Sequence, residues 1–478
     1  MPDTSRNLKS PPFRLRANAG SVWPPLPTPK ASQVWAMYLE LCRTQWLSRE
    51  EIESSQLAQI RGLLAHVIRH VPYYRSLLVA AGIVPEAILT MADFGRIPIL
   101  ERRTYQEHFP EMAAEVLPAG IQQLGKLRTS GTSGMPIDVL QTNVSQLWWL
   151  AYTLRDIEWC GVDSRGSIAV IRSTRRTGDD MRQLLEGVRQ PRWSDQLAGV
   201  IETGPSYVMD VHQDPRVQLD WLRRVGPDCL LSYPSNLEFL AAMAIEQGLR
   251  IPNLRVIQTI SETLTLESRQ KIEQAFGVPV KTTYSCCEAG YVASPCPQGH
   301  GLHVHAENVI LEVLDASGNP CRPGETGRVV LTSLQNHASP FIRYEILDEA
   351  EVGQEQCACG RGLPLLNRVQ GKRRPLLALP DGRKKCSSDL ADGFRKLGGL
   401  YQFQVIQRAP DHVTTRLVPN QHWTNEHRTQ VTRMMHEFFE SAVRVDFETC
   451  ERIPLTEGGK MLDFVIELDS DMPVTPSR

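Results

Sequence analysis

The 478-residue chain contains no apolar run near the ~20 residues needed to cross a bilayer, which excludes a helical membrane protein. Its first thirty residues are rich in Pro, Ser and Arg and lack the apolar segment of a secretory signal, so a cytoplasmic location is expected. Charge of one sign is not in excess: 52 Lys+Arg against 54 Asp+Glu leave −2. No sustained basic stripe appears, and neither nucleic acid nor a membrane surface is expected as a partner. Internal repeats and low-complexity tracts are absent, which argues against solenoids and fibrous folds. A disulfide framework is excluded too, because eleven cysteines are an odd number spread through a long chain. What remains is ordinary globular composition, with 41% hydrophobic and 22% charged residues. The length suits two or three domains with a large buried core.

Prolines 11, 12, 24, 25, 27 and 29 break regular structure in residues 1–30, which reads as a flexible arm. Residues 32–81 read as helical, and Leu57, Ile60, Leu63, Leu64, Val67 and Ile68 fall at helical spacing within 52–68. Strand-like segments at 167–171 and 278–284 alternate with helices at 236–247 and 266–276. Gly248 and Gly277 stop those helices. The alternation predicts an α/β fold with buried sheets. Residues 309–332 turn to β patterning around a turn at 315–319. After basic text at 369–374 comes a smaller α+β region, with strands at 402–408, 414–418 and 443–448 and a helix at 426–439. The predicted boundaries are 1–30, 31–371 and 372–478.

The sharpest motif is Thr129-Ser130-Gly131-Thr132-Ser133-Gly134-Met135-Pro136. Glycines let backbone N–H groups approach an anion, and Ser and Thr hydroxyls add donors. Flanking strand-like text makes it a hairpin-like turn. It lacks the Gly-Lys-Ser/Thr ending of a Walker loop and the spacing of a nucleophile elbow. Taken alone it could equally be a polar surface turn.

The loop resembles the phosphate loop of the acyl-adenylating superfamily, which includes acyl-CoA ligases and luciferases. Met135 stands where that family usually has lysine. Further motifs follow in family order. Thr283-Tyr284-Ser285-Cys286-Cys287-Glu288 resembles the Tyr-Gly-x-Thr-Glu segment, whose Tyr stacks on adenine and whose Glu holds the Mg²⁺ of ATP. Ser261-Glu262 is similar to a Gly-Glu pair lining the adenine pocket, although a helix N-cap box would look the same. Arg343-Tyr344-Glu345-Ile346-Leu347-Asp348 resembles Arg-Tyr-x-Thr-Gly-Asp, whose Asp accepts from both ribose hydroxyls. Gly371-Lys372-Arg373-Arg374 takes the place of Gly-Arg-x-Asp at the hinge, with Lys372 for the ribose-contacting Arg. Gly458-Gly459-Lys460 resembles the terminal Gly-Lys, whose lysine bridges the substrate carboxylate and the α-phosphate.

The middle of the chain is most similar to the phenylacetate-CoA ligase branch, through Val71-Pro72-Tyr73-Tyr74-Arg75, Ile97-Pro98-Ile99-Leu100, Ser232-Tyr233-Pro234-Ser235, Gly324-Glu325-Thr326-Gly327 and Cys359-Gly360-Arg361. The resemblance implies a large α/β adenylate-forming domain with α/β subdomains and a β-rich subdomain, plus a small mobile α+β C-terminal domain, commonly as a homodimer. It implies Lys460 and Glu288 as catalytic residues. The nucleotide would meet residues 129–134, Ser261, Glu262, Thr283, Tyr284, Ser285, Asp348 and Lys372. Trp148, Tyr233, Pro234 and Cys286 would line the acid pocket, though Trp148 and its neighbour Trp149 would serve a core equally well. ATP with Mg²⁺, a small aromatic acid and coenzyme A are the implied reactants. An amine acceptor, a degenerate nucleotide-binding relative without catalysis, and a hydrolase using Ser133 stay open. Cys296 and His300 (C-x₃-H) with Cys357 and Cys359 (C-x-C) offer the four ligands of a closed, structural zinc site, for which His303 is a substitute for His300.

Overall fold

The computed structural model describes residues 12–18, 20, 21, 23–129, 136–174, 181–299, 301–372, 375–456 and 458–468. Helix Arg49–His70 opens with a capping box between Ser48 and Glu51 and buries Leu57, Ile60, Leu63, Leu64 and Val67. Pro72 ends it by opening the next helix, Pro72–Ala80, at a position where its missing N–H costs nothing. Against the expectation of a free arm, part of the N-terminal segment is docked. Phe13 is buried edge-on to Tyr38, and Leu15 bridges Ile201.

The α/β reading holds. A six-stranded sheet runs Val188–Gln190, Ser206–Asp210, Ile168–Arg172, Cys229–Ser232, Val256–Thr259 and Val280–Thr282 in spatial order, parallel except at its first edge. One apolar cluster joins it to helices Pro215–Val225, Pro234–Gln247 and Leu266–Phe276; another joins it to Pro29–Thr44 and Asn143–Cys160. Strands covered on both faces read as short apolar runs without alternation, as the sequence has them. Gly248 and Gly277 take the left-handed conformation that closes a helix.

Where the parallel sheet ends, the chain enters a seven-stranded antiparallel sheet. Its order is Val309–Leu314, Thr326–Ser333, Tyr344–Val352, Leu365–Lys372, Leu302–Val304, Gly290–Pro295 and Tyr284–Cys286. The N-terminal helices pack on it in the largest shared core. Strands Gln123–Arg128 and Asp138–Thr142 form a separate hairpin, with Arg128 opposite Asp138. The motif loop joins these two strands, and its residues 130–135 lie outside the described residues.

The chain leaves the antiparallel sheet at Lys372. Its last unit is a four-stranded sheet, Arg444–Thr449, His412–Pro419, Leu400–Ala409 and Phe464–Ile466, covered by helices Ser388–Lys396 and Asn425–Phe439 around its own core. The unit touches the parallel-sheet region through Ile453 and Val418 and through Tyr401 packed on Phe239. No helix among the described residues is long and apolar enough to cross a membrane.

Gly371 shows how tightly the two sheets approach. Its φ is +71°, and a Cβ there would lie 1.8 Å from Thr263 Oγ1. A side chain would be strained by its backbone and would push on the turn before helix Leu266–Phe276. Gly371→Ala is expected to cost about 1–3 kcal/mol in denaturant unfolding, partly recovered by a second change, Thr263→Ala. Unchanged stability in the single variant would refute the contact.

Candidate active site

Four loops leave the C-terminal ends of the parallel strands and converge, the usual place for a ligand in an open α/β sheet. They begin at Ser173, Tyr233, Ile260 and Thr283. Tyr284, just beyond the last of these strands, donates its hydroxyl to Asp348 Oδ2 at 2.6 Å. Asp348 sits opposite Lys372 on the adjacent antiparallel strand. Burial raises the Asp348 carboxyl; Tyr284, Lys372 and Lys460 pull it back, while Glu288 pushes it further up. Burial and the neighbouring cations Arg102 and Lys460 lower the Lys372 ammonium, against the pull of Asp348 and Glu288. The sequence-predicted Glu288, Tyr284, Asp348, Lys372 and Lys460 therefore share one electrostatic neighbourhood.

Glu288 is 4% exposed. It accepts from Arg102 Nη1 at 3.3 Å, and Arg102 also donates to the Tyr344 hydroxyl (3.0 Å) and to Thr129 Oγ1 (2.9 Å). Thr129 Oγ1 accepts a second bond from the Ile137 amide across the mouth of the hairpin. Residues 130–134, read as the phosphate loop, lie outside the described residues. Arg102 was missed by sequence reading. A faint signal existed: Arg103 pairs with Glu107 four residues on, marking the solvent face, whereas Arg102 and Tyr105 are buried together on the other.

A cavity of about 350 Å³ opens beside Glu288. Trp148, Tyr152 and Tyr291 wall it with aromatic surface, and Cys286 and Cys287 reach its edge. Trp148 stacks on Tyr152 at 5.7 Å, so it serves both core and cavity. Gln141, Gln146 and Gln335 bring amides to the lining.

Several residues expected at the site make hydrogen bonds within the protein instead of lining the cavity. Tyr233 and Pro234 are not among the cavity's lining residues. The Tyr233 hydroxyl donates to Gly458 O (2.9 Å) and accepts from the Ser173 amide (3.2 Å), while Pro234 opens helix Pro234–Gln247. Glu262 is likewise committed: its carboxylate accepts from the Ser235 amide (2.9 Å), the Ser235 hydroxyl (3.1 Å) and the Met461 amide (3.1 Å). Thr283 turns inward to Asp156 at 2.6 Å. Ser261 is exposed with φ +65°, and Ser285 is exposed.

These commitments explain how Lys460 arrives. Thr456 and Lys460 close a tight turn: the Lys460 amide donates to Thr456 Oγ1, and the Thr456 amide to Lys460 O. At Gly459, φ +77°, a Cβ would fall 2.8 Å from Val211 Cγ1 and 2.9 Å from Ser173 Cβ. Tyr233 and Glu262 then hold the turn from either side.

A second cluster lies apart. Ligand atoms of Cys296, His303, Cys357 and Cys359 all fall within 4.8 Å of one another. His300 lies outside the described residues; the histidine gathered with the three cysteines is His303. It sits on the buried strand Leu302–Val304, directly opposite Ser294 and Leu365.

Fold and site geometry resemble those of acyl-adenylate-forming enzymes. The CapK C-terminal domain model matches residues 377–467. The phenylacetate-coenzyme A ligase of Thermus thermophilus is 24% identical over 70% of this chain and 73% of its own. That of Escherichia coli is 23% identical over 86% and 94%. Among solved structures, 2-hydroxyisobutyryl-CoA ligase in its postadenylation state, with 2-HIB-AMP, superposes with TM-score 0.69 at 18% identity over 89% of this chain and 91% of that one. Its thioesterification state gives 0.58. Over most of its length the chain is similar to phenylacetate-coenzyme A ligases, and it shares the fold of adenylate-forming enzymes.

Burial raises Glu262 from 4.5 to about 7, with the Ser235 and Met461 donors and Lys460 opposing it. A raised carboxyl favours the folded state when protonated. Its contribution is complete below about pH 4.5 and fades as pH rises through 7. Relative to Glu262→Gln, the native chain is expected to lose up to ~3 kcal/mol of stability between pH 5 and 8. Parallel pH profiles for the two proteins in urea unfolding would refute this.

Proposed function

We propose that the protein activates a small aromatic carboxylic acid with ATP and passes the acyl group to coenzyme A. The observation that carries this reading is the meeting of Glu288, Tyr284, Asp348, Lys372 and Lys460 at the C-terminal edge of the parallel sheet. Ionised Asp348 has two acceptor oxygens for the ribose diol, and the Tyr284 ring offers a face to adenine. Lys372 stands across from Asp348 to keep it charged and to reach the ribose. Glu288 would hold the Mg²⁺ that enters with ATP and screens its phosphates.

The acid's ring enters the cavity against Trp148, Tyr152 and Tyr291, which fits a flat apolar group in a site of that size. Its carboxylate oxygen attacks the α-phosphorus in line. An O–P bond forms, the bond to the β-phosphate breaks, and pyrophosphate leaves. Lys460 neutralises the charge that gathers between the carboxylate and the α-phosphate. No protein nucleophile or general base is required; positioning and charge stabilisation supply the rate. In the second step the coenzyme A thiolate attacks the acyl carbonyl and AMP leaves with both bonding electrons.

The test is pyrophosphate release across aryl, arylacetic, fatty and amino acids, with Lys460→Ala alongside. Release with aryl or arylacetic acids is expected, falling at least ~100-fold in the variant. Thioester should then appear on adding coenzyme A. Activity confined to aliphatic acids would overturn the aromatic assignment, and amide formation with amines in place of thioester would overturn the acceptor.

The Cys/His cluster fits a structural zinc ion. Cys296 and Cys357 sulfurs are 3.7 Å apart, close to the ~3.8 Å edge of a tetrahedron with Zn–S bonds of ~2.3 Å. His303 Nδ1 lies 3.2 Å from Leu363 O, which directs Nε2 toward Cys359, 3.2 Å away. Three thiolates and an imidazole leave no open coordination position, so no catalytic role follows. About one zinc per chain is expected by elemental analysis, with loss of the metal and a lower melting temperature in Cys357→Ser. Metal-free native protein of unchanged stability would refute the site.

A further inference from the structure

Resting on that reading, a separate question is which cation meets the β- and γ-phosphates. Lys460 is assigned to the α-phosphate, and Lys372 sits opposite Asp348. Position 135 is methionine. Arg102 is 4% exposed and reaches both Thr129, where the described hairpin stops, and Glu288, the carboxylate facing the incoming metal. Its helix, Arg102–Glu107, packs against the strand Tyr344–Val352, and Tyr344 holds the guanidinium from below.

The charge balance decides the matter. Arg102 and Glu288 neutralise each other in a nearly dry position, at a separation of 3.3 Å. Arrival of MgATP adds a dication that competes for Glu288 and a polyanion that follows it. Once Glu288 turns to the metal, a buried guanidinium without a counter-anion would be costly. The phosphate oxygens are the anions at hand, and a planar fork already anchored on Thr129 can meet two of them. We propose that Arg102 is the cation that binds the β- and γ-phosphates, exchanging Glu288 for ATP and supplying the charge that Met135 does not. Arg102 is then a catalytic residue of the adenylation step: the pyrophosphate it holds is the leaving group.

AMP lacks the two phosphates in question and separates this role from a structural one. The experiment measures dissociation constants of MgATP and AMP by calorimetry for the native chain, Arg102→Gln, Arg102→Lys, and Arg102→Gln combined with Met135→Lys. Arg102→Gln is expected to weaken MgATP at least ~10-fold while changing AMP less than ~3-fold. Arg102→Lys should keep part of the affinity, and lysine at 135 should restore most of it in the glutamine background. Equal losses for both nucleotides, or no recovery from Met135→Lys, would overturn the assignment and leave Arg102 as a support for Glu288. A native chain that binds neither nucleotide would sink the parent reading with it; native binding with equal losses would sink this assignment alone.

Discussion

The hydrogen bond from Tyr284 to Asp348 ties an edge strand of the antiparallel sheet, just beyond the parallel one, to a strand in that sheet's interior, and the site depends on it. Tyr284 lies two residues beyond the last parallel strand, at one end of the antiparallel sheet's strand order. Asp348 lies on a strand four places away in that order. Their side chains meet only because the sheet curls, and the curl is backed by the core under the N-terminal helices. Once this contact is fixed, register carries the rest. Lys372 faces Asp348 across one pair, and Gly371 brings the strand against Thr263. The Glu262 turn then stands where it can receive Met461 and so orient Lys460.

Sequence reading succeeded where chemistry is local. Helices at 52–68, 236–247 and 266–276 were legible because apolar spacing and glycine stops are properties of neighbouring residues. The hairpin around the phosphate-loop motif was legible for the same reason. Motif order pointed to Glu288, Tyr284, Asp348 and Lys460, and the structure brings them into one neighbourhood. What spacing could not convey is which of two plausible partners a side chain chooses. Tyr233, Glu262 and Thr283 each looked like a ligand-facing group, yet their hydrogen bonds go to Gly458, Met461 and Asp156. Arg102 was hidden, and His303 stood only as a substitute for His300, for the converse reason: only contacts some 27 to 186 residues away in sequence single them out.

Backbone conformation explains how the motifs survive loss of their glycines. The resemblance places glycine at the positions of Ser261 and Leu347, each just before an acidic residue of the site. Both retain positive φ, +65° and +68°. A non-glycine residue held there costs roughly 1–2 kcal/mol, so the surrounding contacts must enforce the turn. At Ser261 the enforcing contacts are visible in the three bonds to Glu262. At Leu347 they come from the strand pairs on both sides of Asp348. The carboxylates keep their places by packing and pairing rather than by backbone permissiveness.

The same reasoning bears on the Lys460 turn. It is held by a few polar contacts and by the close seat of Gly459, whereas the C-terminal unit has an apolar core of its own. Each such bond is worth about 1 kcal/mol net, far less than the unit's internal packing. Separating the turn from Tyr233 and Glu262 would therefore cost little while leaving the unit folded. Glu262 gives this weak joint a particular chemistry. One buried carboxyl accepts from both Ser235, on the large unit, and Met461, on the small one, so whatever changes its charge changes how firmly Lys460 is presented to the substrate.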